Sequence, residues 1–209
     1  MKSRNPLILA ALLSFMVMQL VNAQESDSGL PKSKQTTLGL YVTSIEAYEM
    51  WKANPARVKI LDVRTLDEYI YIGHAAMAWN VVAFFQTSDW DAEKHHFSMK
   101  PNPDFIIQIK EVFKPEDIIL VTCRSGGRSA LATNQMAAAG YKYVYNITDG
   151  FEGDMMHDEG SVYYEKRMVN GWKNSGAPWT YALDPKLIKI PDAHSRRLKS
   201  GKNVSLPKV

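Results

Sequence analysis

The chain has 209 residues, of which 45% are hydrophobic and 22% are charged, a composition that excludes disordered, collagen-like and multi-span membrane proteins. The net charge of +3 is too small to indicate a nucleic-acid partner. The single cysteine, Cys123, excludes an internal disulfide framework and any cysteine-rich zinc or iron–sulfur site.

Residues 1–23 have the pattern of a secretory signal peptide. Lys2 and Arg4 precede an apolar run, Leu7–Leu20, and small residues lead up to Ala23. The alternative is an uncleaved anchor helix, but a membrane span needs roughly 20 apolar residues and this run is shorter. We therefore expect cleavage after Ala23 and export, to the periplasm if the source is a bacterium, without a stable membrane anchor on the mature chain.

Composition divides the rest of the chain into three parts. Residues 24–38 are polar and have no apolar period, which predicts a linker. Residues 39–181 are predicted to form one domain, since no internal repeat is visible. Residues 182–209 carry an excess of basic side chains and are predicted to be a solvated, frayed tail; contact with an acidic partner or a membrane surface is the alternative.

The first half of the predicted domain alternates helices and strands. A capping-box pattern at Thr43 opens a helix that ends near residue 54, and residues 58–63 form a buried strand. A second capping box at Thr65 opens a short helix, and residues 79–83 form another strand. Residues 84–103 are polar and aromatic, and we expect them to be irregular.

The second half continues the alternation. An apolar stripe predicts a helix between Pro103 and residue 113, and residues 118–122 read as a central parallel strand. A helix over residues 129–139 and a strand over residues 143–147 follow. Repeated βα units predict an α/β domain with a central parallel sheet and helices on both faces.

The chemistry is expected where the strand 118–122 ends, because ligands bind beyond the carboxyl ends of strands in α/β sheets. Residues 123–129 read Cys-Arg-Ser-Gly-Gly-Arg-Ser and lead into a helix. The backbone N–H groups of such a loop, the helix dipole and the side chains of Arg124 and Arg128 favour a thiolate, so Cys123 is a predicted nucleophile. The alternative, a small buried apolar cysteine, explains neither the glycines nor the arginines.

The sequence resembles the rhodanese-like family of sulfurtransferases over roughly Gly39–Pro178. The resemblance rests on motifs that occur in order: Leu61-Asp62-Val63-Arg64 with Glu68, Gly73-His74, the loop CRSGGRS, Asp149-Gly150-Phe151 and Gly176-Ala177-Pro178-Trp179. It implies a three-layer domain with a central parallel β-sheet. In the family, the loop cysteine takes a sulfane sulfur from a donor such as thiosulfate, as a persulfide, and passes it to cyanide or a thiol. The resemblance assigns this role to Cys123.

We expect the same loop to bind the donor. Arg124 and Arg128 are predicted to bind sulfonate oxygens, because planar guanidinium groups suit bidentate contact with oxyanions. The persulfide is expected to be held by backbone N–H groups of Ser125, Gly126, Gly127, Arg128 and Ser129. Neither a metal nor an organic cofactor is required, and the partners are a small-molecule sulfur donor and a thiol or cyanide acceptor.

Loop length separates sulfur transfer from its enzymatic rival. Phosphatases and arsenate reductases related to this fold use a Cys-x5-Arg loop, whereas Cys123 and Arg128 have Cys-x4-Arg spacing. Two alternatives belong to other classes. One is a sulfur-carrying or thiol-binding module that works only with an exported protein partner, and the other is an interaction domain whose loop is inert.

Other polar residues are interpreted as scaffold. Arg64 is predicted to pair with Glu68 across the start of a short helix, and His74 to be hydrogen-bonded support. Asp149 stands where the family usually has a glycine, which puts the nearby backbone in question. The segment 154–172 is longer than the same region of a minimal domain. Two interpretations of it remain open: a lid or partner surface, or an extra helix packed on the core.

Overall fold

The computed structural model describes residues 29–190, so the predicted signal peptide, residues 24–28 and residues 191–209 lie outside the described part. The α-helices are α1 (Ser44–Ala53), α2 (Leu66–Tyr71), α3 (Phe105–Val112) and α4 (Gly127–Ala138). The strands are β1 (Tyr41–Val42), β2 (Val58–Asp62), β3 (His74–Ala75), β4 (Trp79–Val81), β5 (Phe84–Asp91), β6 (His96–Pro101), β7 (Ile118–Thr122), β8 (Val144–Ile147), β9 (Trp179–Thr180) and β10 (Ile188–Lys189). None of the helices within residues 29–190 is both long and apolar enough to cross a membrane.

A six-stranded parallel sheet organises the domain, with strand order β1-β8-β7-β2-β4-β10. The register pairs Asp62 with Thr122 and Val121 with Asn146. The carboxyl ends of β2, β7 and β8 therefore lie side by side. The predicted parallel sheet is confirmed, and the loop after β7 begins at its centre.

Successive residues of the central strands point to opposite faces of the sheet, and each face carries its own core. Ile119 and Val121 pack with side chains of α3 and α4. Leu120, between them, packs with side chains of α1 and α2. The prediction of helices on both faces is confirmed, and the three layers hold the end of β7 rigidly between them.

Both predicted capping boxes are present. The side chains of Thr43 and Thr65 accept from the backbone N–H groups of Glu46 and Glu68, and each glutamate bonds back to its threonine N–H. A cap of this kind satisfies N–H groups that have no partner inside the helix. It also fixes the position of Glu68, which serves the active site as well.

Residues 84–103 are not irregular as predicted, since they form an antiparallel hairpin of β5 and β6. Most side chains of both strands are exposed or only partly buried. A hairpin that leaves both faces to solvent needs no alternation of apolar and polar residues. Because strands are predicted from this alternation, the hairpin was not predicted.

The two predicted flanking segments take part in the fold where they are described. In the segment predicted as a linker, the carbonyl of Lys34 accepts from the side-chain amide of Asn146 at 2.9 Å, and Leu38 packs on the core. In the segment predicted as a frayed tail, Ile188–Lys189 form β10 beside β4. Residues 154–172 contain no α-helix, which excludes the extra packed helix, one of the two alternatives left open; two isolated β-bridges connect them instead.

Candidate active site

Cys123 lies in the turn between β7 and α4, at the carboxyl edge of the sheet. Its side chain is 1% exposed, and the N–H of Gly126 donates to its Sγ at 3.2 Å. Gly126 is the N-cap residue of α4, so the positive end of the helix dipole lies at this sulfur. Of the predicted N–H donors, Gly126 alone bonds to Sγ within the described chain. Four have no hydrogen-bond acceptor among residues 29–190: those of Ser125, Gly127, Arg128 and Ser129.

A buried polar triad supports the other side of the sulfur. The hydroxyl oxygen of Ser129 lies 3.3 Å from Sγ of Cys123 and 2.6 Å from Oδ1 of Asn146. The amide nitrogen of Asn146 donates to the carbonyl of Gly126 at 3.1 Å. Sequence analysis predicted Ser129 only as a backbone donor and missed Asn146. An asparagine in a buried strand was the available signal, since buried amides need partners.

The segment after β8 pairs with the backbone of the cysteine loop. The N–H of Phe151 donates to the carbonyl of Cys123 at 2.7 Å, and the N–H of Glu152 donates to the carbonyl of Arg124 at 2.9 Å. Gly150, with φ +64°, makes this approach possible, because a Cβ there would lie 2.6 Å from the nitrogen of Ser125. The two segments form one backbone unit.

Asp149 anchors that unit from behind. Its Oδ1 accepts from the N–H and the hydroxyl of Ser44, both at 2.8 Å, and its Oδ2 accepts from the N–H of Gly171 at 3.0 Å. Ser44 is the first residue of α1, so the carboxylate also faces the positive end of that helix. The aspartate that replaces the family's glycine therefore ties three segments together without a left-handed backbone.

The ion pairs differ from the predicted ones. The prediction that Arg64 pairs with Glu68 is wrong: Arg64 is fully buried and pairs with Asp62, with Nη2 and Oδ2 2.6 Å apart. Glu68 instead accepts two bonds from the guanidinium of Arg128, at 2.7 and 2.6 Å. Helical spacing favoured the local pair, but a bidentate bond to a partner 60 residues away satisfies Glu68 better.

The Glu68–Arg128 pair stays ionised at neutral pH. Burial alone would raise the pKa of Glu68, but the bonds and charge of Arg128 and the Thr65 N–H lower it to about 2. Burial alone would lower the pKa of Arg128, and Glu68 outweighs this and raises it. Both Nη atoms of Arg128 donate to the carboxylate of Glu68. The geometry therefore does not favour the predicted role of Arg128 in binding a sulfonate.

Arg124 is the exposed cation of the loop, and its side chain has no hydrogen-bond or ion-pair partner in the described chain. It lines a cleft of about 720 Å³. One wall of this cleft is α2, and the other is the β5–β6 hairpin with Trp90 and Phe97. Since residues 84–103 were predicted to be irregular, the sequence did not indicate that a hairpin forms this second wall.

His74 and a possible metal centre complete the description of the site. His74 is buried, and its Nδ1 lies 3.0 Å from the carbonyl oxygen of Tyr69, which confirms its predicted supporting role. Within residues 29–190, no group of three or more His, Cys, Asp and Glu side chains could hold a metal ion.

Comparison with known proteins agrees with this geometry. Residues 45–156 match the rhodanese-like domain, and the chain belongs to that family. An uncharacterised protein of Rickettsia conorii is 31% identical over 141 residues, which cover 67% of this chain and 96% of the relative. Thiosulfate sulfurtransferase 18 of Arabidopsis thaliana is 39% identical over 93 residues, 44% of this chain and 62% of that enzyme. The crystal structure of Rv0390 from M. tuberculosis has a TM-score of 0.53 and 26% identity, covering 68% of this chain and 96% of that protein.

We expect Gly150→Ala to damage the active-site loop. Alanine at this position has to adopt a left-handed backbone conformation, and its Cβ collides with the loop. The variant should therefore lose about 3 kcal/mol or more of unfolding free energy. Gly140→Ala is the matched control, because Gly140 has φ +98° but nothing within 4 Å of an added Cβ. It should lose only about 1–2 kcal/mol. Urea unfolding compares the two variants, and equal losses would show that the close approach at Gly150 is unimportant.

Glu68→Gln should destabilise the protein by about 1–3 kcal/mol at pH 7, because Arg128 loses its charged partner. The pKa of Glu68 is about 2 in the folded protein, against an ordinary value of 4.5 that applies to the unfolded chain. The wild-type advantage is therefore complete above pH 4.5 and disappears as the pH falls towards 2. Urea unfolding at several pH values measures the difference.

The control for this series is Glu49→Gln. Glu49 and Lys52 form a pair of 3.8 Å whose side chains are 59% and 61% exposed. Its removal should change the unfolding free energy by less than about 0.5 kcal/mol at every pH. A Glu68→Gln effect as small as this, or one that grows in acid, would contradict the assignment.

Proposed function

We propose that this protein is a sulfurtransferase in which Cys123 takes a sulfane sulfur from thiosulfate or a persulfide donor and passes it to cyanide or a thiol acceptor. The observation that carries the proposal is the placement of a buried sulfur at the N-terminus of α4, where the N–H of Gly126 donates to it and the next residue, Arg124, is exposed. Relatives named thiosulfate sulfurtransferases support the choice of donor.

The first half-reaction forms one bond and breaks one. The Cys123 thiolate attacks the outer sulfur of thiosulfate, the S–S bond of the donor breaks, and its electron pair leaves with sulfite. The persulfide on Cys123 carries the remaining negative charge. Positive groups around the loop offset the repulsion between the thiolate and the dianion, and they also stabilise the charge that rises on the leaving group.

The second half-reaction restores the enzyme. Cyanide or a thiolate attacks the outer sulfur of the persulfide, the S–S bond to Cys123 breaks, and thiocyanate or a new persulfide leaves. The N–H groups of Gly127, Arg128 and Ser129, in the first turn of α4, have no acceptor within residues 29–190 and are suited to binding the persulfide anion. No proton has to be transferred when the acceptor arrives as an anion.

Phosphate or arsenate chemistry is a weaker proposal for this loop. Besides the short Cys-x4-Arg spacing, the arginine that ends the spacing is held by Glu68 in a bidentate ion pair. A tetrahedral oxyanion would have to compete with that carboxylate for Arg128.

Reduced protein should gain one sulfur atom when it is treated with thiosulfate, and the Cys123→Ser variant should gain none. Intact mass spectrometry measures the gain, and cyanide should remove the sulfur and release thiocyanate over repeated turnovers. A mass gain without turnover would favour the carrier module that works with an exported partner. Brisk hydrolysis of aryl phosphates with no sulfur gain from any donor would overturn the proposal.

We also propose that the protein is exported, on the basis of its first 23 residues. The full chain, expressed in a bacterium, should appear in the periplasmic fraction with Gln24 as its first residue. Lys2→Glu/Arg4→Glu removes the positive start of the signal and should leave the uncut chain in the cytoplasm. N-terminal sequencing of each fraction measures this, and a chain that starts at Met1 in every fraction contradicts the proposal.

A further inference from the structure

Residues 154–172 extend past the stretch that matches the family, which ends at residue 156, and one of their side chains contacts the segment that pairs with the active-site loop. Nη1 of Arg167 donates to the carbonyl of Gly153 at 2.6 Å. The N–H of Gly153 donates in turn to the carbonyl of Arg124 at 3.2 Å. The guanidinium of Arg167 is therefore only one hydrogen-bonded residue away from the loop that carries Cys123.

The backbone at Arg167 is also fixed. Its carbonyl accepts from the side-chain amide of Asn174 at 3.0 Å, and it forms an antiparallel bridge with Met155. Asn174 also bonds to the carbonyl of Glu152, the residue beside the loop. Arg167 is thus held in place from two sides and is not a loose surface side chain.

The other cations near the loop already have carboxylate partners. Three ion pairs neutralise them: Arg128 with Glu68, Arg64 with Asp62, and Lys34 with Asp154. Each of these three positive charges is already balanced by a carboxylate, although Nη1 of Arg64 is buried and has no hydrogen-bond partner within residues 29–190. An incoming anion must therefore find its positive charge elsewhere.

Three charges remain beside Cys123: those of Arg124, Arg167 and Glu152. Burial first, and then the positive charge of Arg124, lower the pKa of Arg167, so the two guanidinium groups are close enough to repel each other. Glu152, Asp154 and Cys123 act on Arg167 in the opposite sense, and Asp154 is itself paired with Lys34. With Arg167 this group has a net positive charge, and without it the group is neutral. Asp67 lies on the opposite wall of the cleft, where it is exposed to solvent.

We propose that Arg167 and Arg124 together form the subsite for the anionic half of the sulfur donor, the sulfonate group of thiosulfate, and that Arg128 is a scaffold residue. Two guanidinium groups that repel each other gain from an anion placed between them, and this gain grows as charge moves to the leaving sulfite. The identity of the donor rests on the proposed function, whereas attraction of an anion to Cys123 does not.

The anion subsite can be tested without any sulfur transfer. Cys123 is the sole cysteine, so alkylation of the chain reports on this one thiol. Anionic iodoacetate and neutral iodoacetamide react by the same chemistry, and the ratio of their rates measures the local charge. Arg167→Gln should lower the iodoacetate to iodoacetamide ratio about 3- to 10-fold at low salt, and Arg167→Lys should largely restore it.

Lys166→Gln is the matched control, because it removes one positive charge from the exposed neighbouring residue. Its ratio should stay at the wild-type value. A ratio in Arg167→Gln equal to that of wild type or of Lys166→Gln overturns the proposal. If Arg167→Gln does not fold, the wild-type ratio over a salt series and that of Arg167→Lys decide the question; a salt-independent ratio overturns the proposal.

Steady-state kinetics then assign the anion to the donor. With thiosulfate, Arg167→Gln should raise KM about 10-fold at low salt, with a smaller effect on discharge of the loaded protein by cyanide. An unchanged KM in an active variant overturns the proposal. No sulfur gain by the wild type with any donor is a failure of the proposed function instead, and the alkylation ratio still decides whether Arg167 attracts anions.

Discussion

The site depends on a backbone pairing between two loops that belong to different strands. The carbonyls of Cys123 and Arg124, after β7, accept from the N–H groups of Phe151 and Glu152, after β8. Asp149 holds the second loop in turn, through Ser44 at the start of α1 and Gly171 farther along the chain. Both carbonyls are thereby bonded to the second loop, and the N–H groups of Ser125, Gly127, Arg128 and Ser129, which have no acceptor among residues 29–190, are left for an anion.

The arginines around this backbone unit fall into two groups, those paired with a carboxylate and those that are not. The guanidinium groups of Arg64 and Arg128 have carboxylate partners at hydrogen-bond distance, as burial of a charge demands. Arg64 and Arg128 thus hold β2 and α2 in place around the loop. Among residues 29–190 no carboxylate is bonded to Arg124 or Arg167, and these two side chains supply the positive field of the proposed subsite.

Most of the fold could be predicted from the sequence, because its signals are local. The apolar run of β7, the capping boxes and Gly140 after α4 each act within a few residues. The sequence failed where distant residues decide the outcome. Glu68 pairs with the distant Arg128 and not with the nearby Arg64. Ile188 and Lys189 form a strand by pairing with the edge of β4. The loop residues Cys123 to Ser129 were predicted, whereas Arg167 was not, since its place depends on the backbone of Gly153.

The burial of Cys123 also bears on which of two sulfur atoms an acceptor can reach. A persulfide has an inner sulfur that belongs to the cysteine and an outer one about 2 Å farther along the S–S bond. Attack on the outer atom transfers sulfur, but attack on the inner atom expels hydrosulfide and leaves a mixed disulfide. Cys123 is only 1% exposed, so the inner sulfur of such a persulfide is shielded, and the chain has no second cysteine that could reduce a mixed disulfide. For the persulfide of the proposed function, this burial therefore favours attack on the outer sulfur.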